Sequence, residues 1–273
     1  MTINLNGQLI NFDVPKIAGI LNLTPDSFFD GGKYKTIDHA IIQVEKLLDE
    51  GADLIDIGGQ STRPGSKLVS DKEEIDRILP VVKELVRRFP DIKISIDTFW
   101  SRVAEQTVNE GAAMINDISG GTIDSRMFPT MGRLNIPYVL MHMRGTPQTM
   151  NSFTDYNNLI LDINFYFSEK LNELRNQGVT DILLDPGFGF SKNIDQNFEL
   201  MKNLDKLAVF NLPIYVGISR KRMIYQPLNV TAEEALTGTA AVNLYALQKG
   251  ANILRAHDVK EAKQVIKLWN LLK

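Results

Sequence analysis

The 273-residue chain contains no cysteine. That one absence excludes disulfides, thiolate zinc sites and a cysteine nucleophile together. Histidine is nearly as scarce, with three residues, too few for a His-rich metal centre. There is no surplus of positive charge, since the formal net charge is −3, and so no basic footprint for nucleic acid. No apolar run is long enough to span a bilayer, and residues 1–13 lack the basic segment and apolar core of a signal peptide. The expectation is a cytoplasmic protein without membrane or nucleic-acid partners. No G-x-G-x-x-G follows the first strand-like run, which counts against a dinucleotide fold. Linkers, low-complexity tracts and a second composition regime are also missing, so residues 1–273 read as one domain.

What is present is a regular alternation. Hydrophobic residues make up 44% of the chain, enough for a large core, and charged residues 23%. Residues 2–13 alternate around Asn6-Gly7, a hairpin signal, so residues 1–14 are expected to form a small β-hairpin cap. From Lys16 onward, apolar and mostly β-branched runs recur at Ile17–Leu23, Asp53–Ile57, Ile92–Ile96, Met114–Ile118, Tyr138–Met141, Ile182–Leu184, Ile214–Ile218 and Ala251–Leu254. Between them lie helical stripes, such as Ile37, Ile41, Val44, Leu47 and Leu48, stopped by Gly51. Similar stripes run through Val103–Val108 to Gly111, Leu159–Leu174 to Gly178, and Ala262, Val265, Ile266 and Trp269. Eight strand-like runs, each followed by a helix, predict an α/β fold of the (β/α)₈ TIM-barrel type.

Such a barrel carries its chemistry at the C-terminal ends of its strands. Those ends here offer Asn22, Asp56, Asp97, Asn116-Asp117, His142, Asp185, Ser219-Arg220-Lys221-Arg222 and Arg255-Ala256-His257-Asp258. After Asp56 the chain breaks at Gly58-Gly59 and runs through Ser61-Thr62-Arg63-Pro64-Gly65, a layout expected of a working loop or of a plain connection. A lone Asp at a strand end also serves as a turn former, and His142, beside two methionines, reads as a core imidazole. Arg126, Arg133 and Lys192 read as solvated surface charges. Convergence favours function, because burying polar groups from eight strands without a ligand is costly.

Their chemistry describes the ligand. Carboxylates at Asp97 and Asp185 repel phosphate but accept from amide and amino N–H groups; Asn116 both donates and accepts; Lys221 donates to a carbonyl or ring nitrogen. Such a set suits the edge of a 2-amino-4-oxo heterocycle, a pterin or a guanine. Arg63, Arg255 and His257 suit an anion, and the amide oxygen of Asn22 can ligate a hard cation.

Seven segments, in order from about Lys16 to the C-terminus, resemble one family. They are residues 20–32 (Ile-Leu-Asn-Leu-Thr-Pro-Asp-Ser-Phe-Phe-Asp-Gly-Gly), 56–65 (Asp-Ile-Gly-Gly-Gln-Ser-Thr-Arg-Pro-Gly), 95–98, 115–118, 185–190 (Asp-Pro-Gly-Phe-Gly-Phe), 217–222 and 254–258. Together they look like dihydropteroate synthase. The resemblance implies a homodimeric barrel that joins 6-hydroxymethyl-7,8-dihydropterin diphosphate to p-aminobenzoate with Mg²⁺ by an SN1-like step. It further implies Asp97, Asn116, Asp185 and Lys221 on the pterin, with Asn22 on Mg²⁺ and pyrophosphate. Arg255 and His257 would hold phosphate, and Asp30 and Arg63 would close over the site with Lys221 in catalysis. Thr62, Pro64, Phe190, Ser219, Lys221 and Arg222 would line the p-aminobenzoate site. Phe29 and Arg222 stand where the family commonly has Ser, which bears on loop packing and on the p-aminobenzoate carboxylate. A methyltetrahydrofolate:corrinoid methyltransferase would share the Asp/Asn set without needing the Ser-Thr-Arg-Pro loop or the Arg255/His257 pair. A non-catalytic pterin-binding paralogue would not need them either.

Overall fold

The computed structural model describes residues 1–24, 33–61 and 68–272. Its first element is the expected hairpin, β1 (Thr2–Leu5) paired antiparallel with β2 (Gln8–Asn11) in the register Thr2↔Asn11 to Leu5↔Gln8. Asn6 and Gly7 make the two-residue turn with φ of 50° and 79°. Positive φ at both positions matches the right-handed twist of the strands, which is why Asn-Gly is selected. Period-two alternation puts Ile3 and Leu5 on one face, where with Phe12 they cover Leu54, Met114, Val139, Leu183, Tyr215 and Ile253 at the barrel floor. A cavity of about 230 Å³ lies between hairpin and floor, at the end opposite the strand C-termini.

The barrel strands are β3 (Lys16–Asn22), β4 (Leu54–Gly58), β5 (Ile94–Asp97), β6 (Met114–Asp117), β7 (Tyr138–Met141), β8 (Ile182–Asp185), β9 (Tyr215–Val216) and β10 (Ile253–Ala256). All pair in parallel, in the order β8-β7-β6-β5-β4-β3-β10-β9. A single parallel bridge, Leu184↔Ile214, joins β8 to the segment entering β9 and brings the ring round on itself. The helices are α1 (Lys33–Asp49), α2 (Asp71–Arg88), α3 (Ser101–Asn109), α4 (Met127–Leu134), α5 (Leu159–Asn176), α6 (Ile194–Lys202), α7 (Arg222–Tyr225), α8 (Leu236–Gln248) and α9 (Val259–Leu272).

Four of the helices, α1, α3, α5 and α9, follow the stripes named above; α2, α4, α6, α7 and α8 add to them, α2 on a buried stripe of its own through Ile75, Ile78, Val82 and Leu85. A proline, Pro80, sits inside α2, α4 and α6 span only two to three turns, and α7 is shorter still. In α8 the sequence Leu-Thr-Gly-Thr-Ala-Ala-Val-Asn-Leu-Tyr-Ala-Leu-Gln is apolar nearly all round and has no periodic face.

Strand parity separates two layers. Ile17, Ile55, Ile57, Ile94, Ile96, Ile115, Ile182, Leu184 and Leu254 face outward into the core shared with the helices. The alternate positions, including Asp56, Ser95, Asp97, Asn116, Asp185 and Arg255, therefore enter the lumen.

Candidate active site

The register of the sheet assembles the site. Asn22 pairs with Gly58, Gly58 with Asp97, and Asp97 with Asn116, so four neighbouring strands end at one level. A methyl group on Gly58 would make ordinary contacts there, 3.6 Å from Asp97 Cβ and 3.7 Å from Asn22 Oδ1. Gly59 does something else. A methyl on it would come within 2.9 Å of Ile78, so it makes room for α2 and not for a ligand.

One turn of side chains deeper, Asp56 is fully buried and collects three donors. Ser95 Oγ donates to Oδ1 at 2.5 Å, while Asn116 Nδ2 and Arg255 Nε donate to Oδ2 at 3.1 and 2.5 Å. Arg255 also donates through Nη2 to Asp97 Oδ2 at 2.8 Å. Two carboxylates thus share one guanidinium. Burial, joined by Asp56 and Asp117, pushes the Asp97 carboxyl up to about 7 although Arg255 pulls it down. Burial alone would lower the Arg255 pKa, but Asp56 and Asp97 outweigh it and hold the charge in place. The Oδ1 atom of Asn116 is buried and has no hydrogen-bond partner among the described residues.

Asp185 closes the opposite wall. Its Oδ1 accepts from Gly187 N at 2.7 Å, and burial raises its pKa against the pull of Lys221. Lys221 passes between Gly189 and Gly217, where added methyls would lie 3.3 Å from its Cδ and 4.0 Å from its Nζ. That ammonium donates to Phe188 O at 2.5 Å and stands 4.7 Å above the Phe190 ring. Burial lowers its pKa to about 8, with Asp185 opposing. Phe190 packs with Phe99, Ile118, Met141, Met143 and Met150. Asp97, Asn116, Asp185, Lys221 and Arg255 therefore converge on one lumen with acceptors on two walls and cations between them.

The rim is more open. Ser219 Oγ accepts from His257 N and lies within 3.3 Å of its Nδ1, which brings these two residues together. Asn22 and His257 are exposed. Arg220 is bound to Asp258 through Nε at 2.9 Å and Nη2 at 2.7 Å, which anchors the turn ahead of Lys221. Arg222, exposed at the start of α7, donates to Gln226 Oε1 at 2.6 Å. Asp30, Thr62, Arg63 and Pro64 lie outside the described residues.

Arg126 and Arg133 are exposed as expected, against Asp124 and Glu105. His142 is a buried imidazole whose pKa burial holds well down. Lys192 corrects the sequence reading: it is 7% exposed, with Nζ at 3.0 Å from His142 Nδ1, Gly187 O and Phe190 O. Its long stem can run inward, and nothing in the local pattern distinguishes that from a surface lysine. Sequence reasoning also passed over Glu74. This residue is buried beside the strand ends, accepts from Thr98 Oγ1 at 3.1 Å, and has Oε1 without a partner among the described residues. Burial pushes its pKa up to about 8. A signal existed, since Glu74 lies on the stripe Glu74, Ile78, Val81, Leu85 that α2 buries.

A family profile described as pterin-binding enzymes matches residues 18–257. The chain is similar to the dihydropteroate synthase of Haemophilus influenzae, 40% identical over 271 residues that cover 98% of each chain. Among solved structures, it superposes on the dihydropteroate synthase of Yersinia pestis in complex with a sulfonamide drug with a TM-score of 0.94. There the identity is 39% over 100% of this chain and 99% of the other. The enzyme of Xanthomonas albilineans with 4-aminobenzoic acid gives a TM-score of 0.92, with 35% identity over 99% and 97% of the two chains.

Proposed function

We infer that this chain, which belongs to the dihydropteroate synthase family of pterin-binding enzymes, joins 6-hydroxymethyl-7,8-dihydropterin diphosphate to p-aminobenzoate, giving 7,8-dihydropteroate and pyrophosphate. The observation that carries this onto the chain's own residues is the acceptor-lined lumen. Asp97, Asp185 and the unpartnered Oδ1 of Asn116 call for a ligand edge rich in N–H donors. A dihydropterin has that edge, and Lys221 can donate to its carbonyl or ring nitrogen.

In the proposed step the bond between the exocyclic carbon and the diphosphate oxygen breaks first, leaving a cation delocalised into the ring. The neutral aniline nitrogen of p-aminobenzoate then forms the C–N bond and its proton leaves to water. Little activation is needed, so no dedicated base is assigned. Asp30 would stabilise the cation, while Arg63, Arg255 and His257 would stabilise the departing anion. Arg255 has a second duty, because its inner edge pairs with both Asp56 and Asp97. Thr62, Pro64, Phe190, Ser219, Lys221 and Arg222 are assigned to p-aminobenzoate; at Arg222 the contact to the carboxylate would be ionic.

Mg²⁺ belongs to the same proposal. Among the described residues no three His, Cys, Asp or Glu side chains gather to hold a metal. Asn22, an exposed residue, offers one amide oxygen, which suits an ion that keeps its waters and is held mainly by substrate phosphates. When bound it would neutralise charge on the leaving diphosphate.

A homodimer is supported by the outer face of the neighbouring α8 and α9, where Tyr245, Leu268, Leu271 and Leu272 are exposed. A cytoplasmic setting, and the action of residues 1–273 as one unit with the hairpin as its cap, complete the proposal. Among the described residues no helix is long and apolar enough to cross a membrane. The deciding assay incubates the protein with the pterin diphosphate, p-aminobenzoate and Mg²⁺ and measures dihydropteroate and pyrophosphate. Absence of both products from folded protein would refute the activity.

A further inference from the structure

The segment from Asp185 to Lys192 is an unusually determined piece of chain. Three of its residues have positive φ: Gly187 at 70°, Gly189 at 81° and Ser191 at 47°. Main-chain and side-chain bonds tie it down: Gly187 N to Asp185 Oδ1, Gly189 N to Asn197 Oδ1 at 2.6 Å, and Arg144 N to Ser191 Oγ at 3.0 Å. At its back lies Lys192, whose Nζ donates to Gly187 O and Phe190 O and stands beside His142 Nδ1, at 3.0 Å in each case. At its front, Lys221 donates to Phe188 O and stands over the Phe190 ring. Two lysines thus hold three carbonyls of one loop, Lys192 those of Gly187 and Phe190 and Lys221 that of Phe188.

Stability alone does not account for Lys192. Burial lowers its pKa to about 7, which is a cost, and an apolar chain of equal length would fill the space without it. What the ammonium adds is direction. We propose that Lys192 is a positioning residue for p-aminobenzoate: by pinning residues 187–190 to the neutral imidazole of His142, it sets the Phe190 ring and the Phe188 carbonyl on which Lys221 rests. The inference depends on the synthase reading given above. It also makes a statement that does not: Nδ1 of His142 is an acceptor, so its proton is on Nε2.

Two measurements test it. The first needs no variant. With three histidines in the chain, the ¹³C and ¹⁵N imidazole shifts of His142 can be assigned. The Nε2–H tautomer at neutral pH is the expected result, and the Nδ1–H tautomer would overturn the proposal. The second compares wild type with Lys192→Met. We expect the KM for p-aminobenzoate to rise about tenfold or more, while the Kd for the pterin diphosphate, which Lys221 also serves, weakens by a smaller factor, under about threefold. Because the chain has no cysteine, Lys192→Cys can be alkylated with 2-bromoethylamine in denaturant and refolded, with wild type treated in parallel. The restored ammonium should return KM to within about threefold of wild type. Equal loss of both substrates, an unchanged KM, or no rescue in folded protein would each refute the role. If wild type makes no dihydropteroate, the synthase reading fails by itself, and the tautomer still reports on the Lys192–His142 link.

Discussion

Arg255 and Asp56, 199 residues apart in the chain, meet at 2.5 Å in the barrel lumen, and the same guanidinium reaches Asp97 at 2.8 Å. Removing the guanidinium leaves two buried carboxylates without their paired cation, with Lys221 exerting only a weaker pull on Asp97. Arg255→Met should therefore cost about 3–5 kcal/mol of unfolding free energy. Urea unfolding checks this, and adding Asp56→Asn to the same variant should return part of the loss. A single variant within about 1 kcal/mol of wild type would show that the pair holds nothing together.

Asp185 should act on affinity. Asp185→Asn turns one acceptor into a donor facing a donor, and weaker pterin binding by about ten- to a hundredfold is expected by calorimetry. Unchanged affinity would remove Asp185 from the pterin site.

Arg63 should act on rate. The resemblance puts it on a loop that closes over the leaving group, so Arg63→Ala should spare pterin affinity and lower kcat strongly, by about a hundredfold. An equal fall in affinity would argue that it holds the ground state instead.

Glu74 makes stability depend on pH. Its carboxyl is raised from 4.5 to about 8 by burial, with Asp97 and Asp71 adding to the shift and Thr98 and Arg77 opposing it. The folded state therefore holds a proton that the unfolded chain loses above about 4.5. This contribution is complete below that value and disappears as pH rises toward 8. Glu74→Gln should match wild type near pH 5 and exceed it near pH 9 by on the order of 3 kcal/mol. Unfolding curves at the two pH values decide it, and parallel curves would mean that Glu74 does not titrate in this range.

Two glycines of the 185–192 segment should differ in their tolerance. A methyl on Gly187 would sit 2.1 Å from the His142 carbonyl oxygen, which cannot move aside. One on Gly189 would meet only the flexible Lys221 side chain at 3.3 Å. Both have positive φ, so both substitutions strain the backbone, but Gly187→Ala should cost more by about 2 kcal/mol. Thermal unfolding of the pair is the check, and equal losses would contradict it.

Much of this was visible in one dimension. The β-branched runs placed all eight barrel strands, and Asn6-Gly7 announced the hairpin because few other residues accept positive φ twice in succession. Of the polar residues at the strand ends, Asp97, Asn116, Asp185, Lys221 and Arg255 are brought into one lumen. The apolar α8 escaped for want of a clean helical period, whereas α2 has a periodic buried face with Pro80 set inside it. Asp56 supports its neighbours from below the strand ends, as a centre for three donors.

What the sequence determined on its own was the list of parts and their level in the barrel. A strand's side chains alternate, so its polar inward positions follow from counting. What only tertiary structure decided was partnership. Lys192 faces His142 and not water, Arg255 spends two of its donors on Asp56 and Asp97, and Gly59 makes room for Ile78 and not for substrate. The reason is physical. A long flexible cation or a missing Cβ carries no periodic signature, and its direction is set by whichever acceptor or packed side chain the rest of the chain brings within reach.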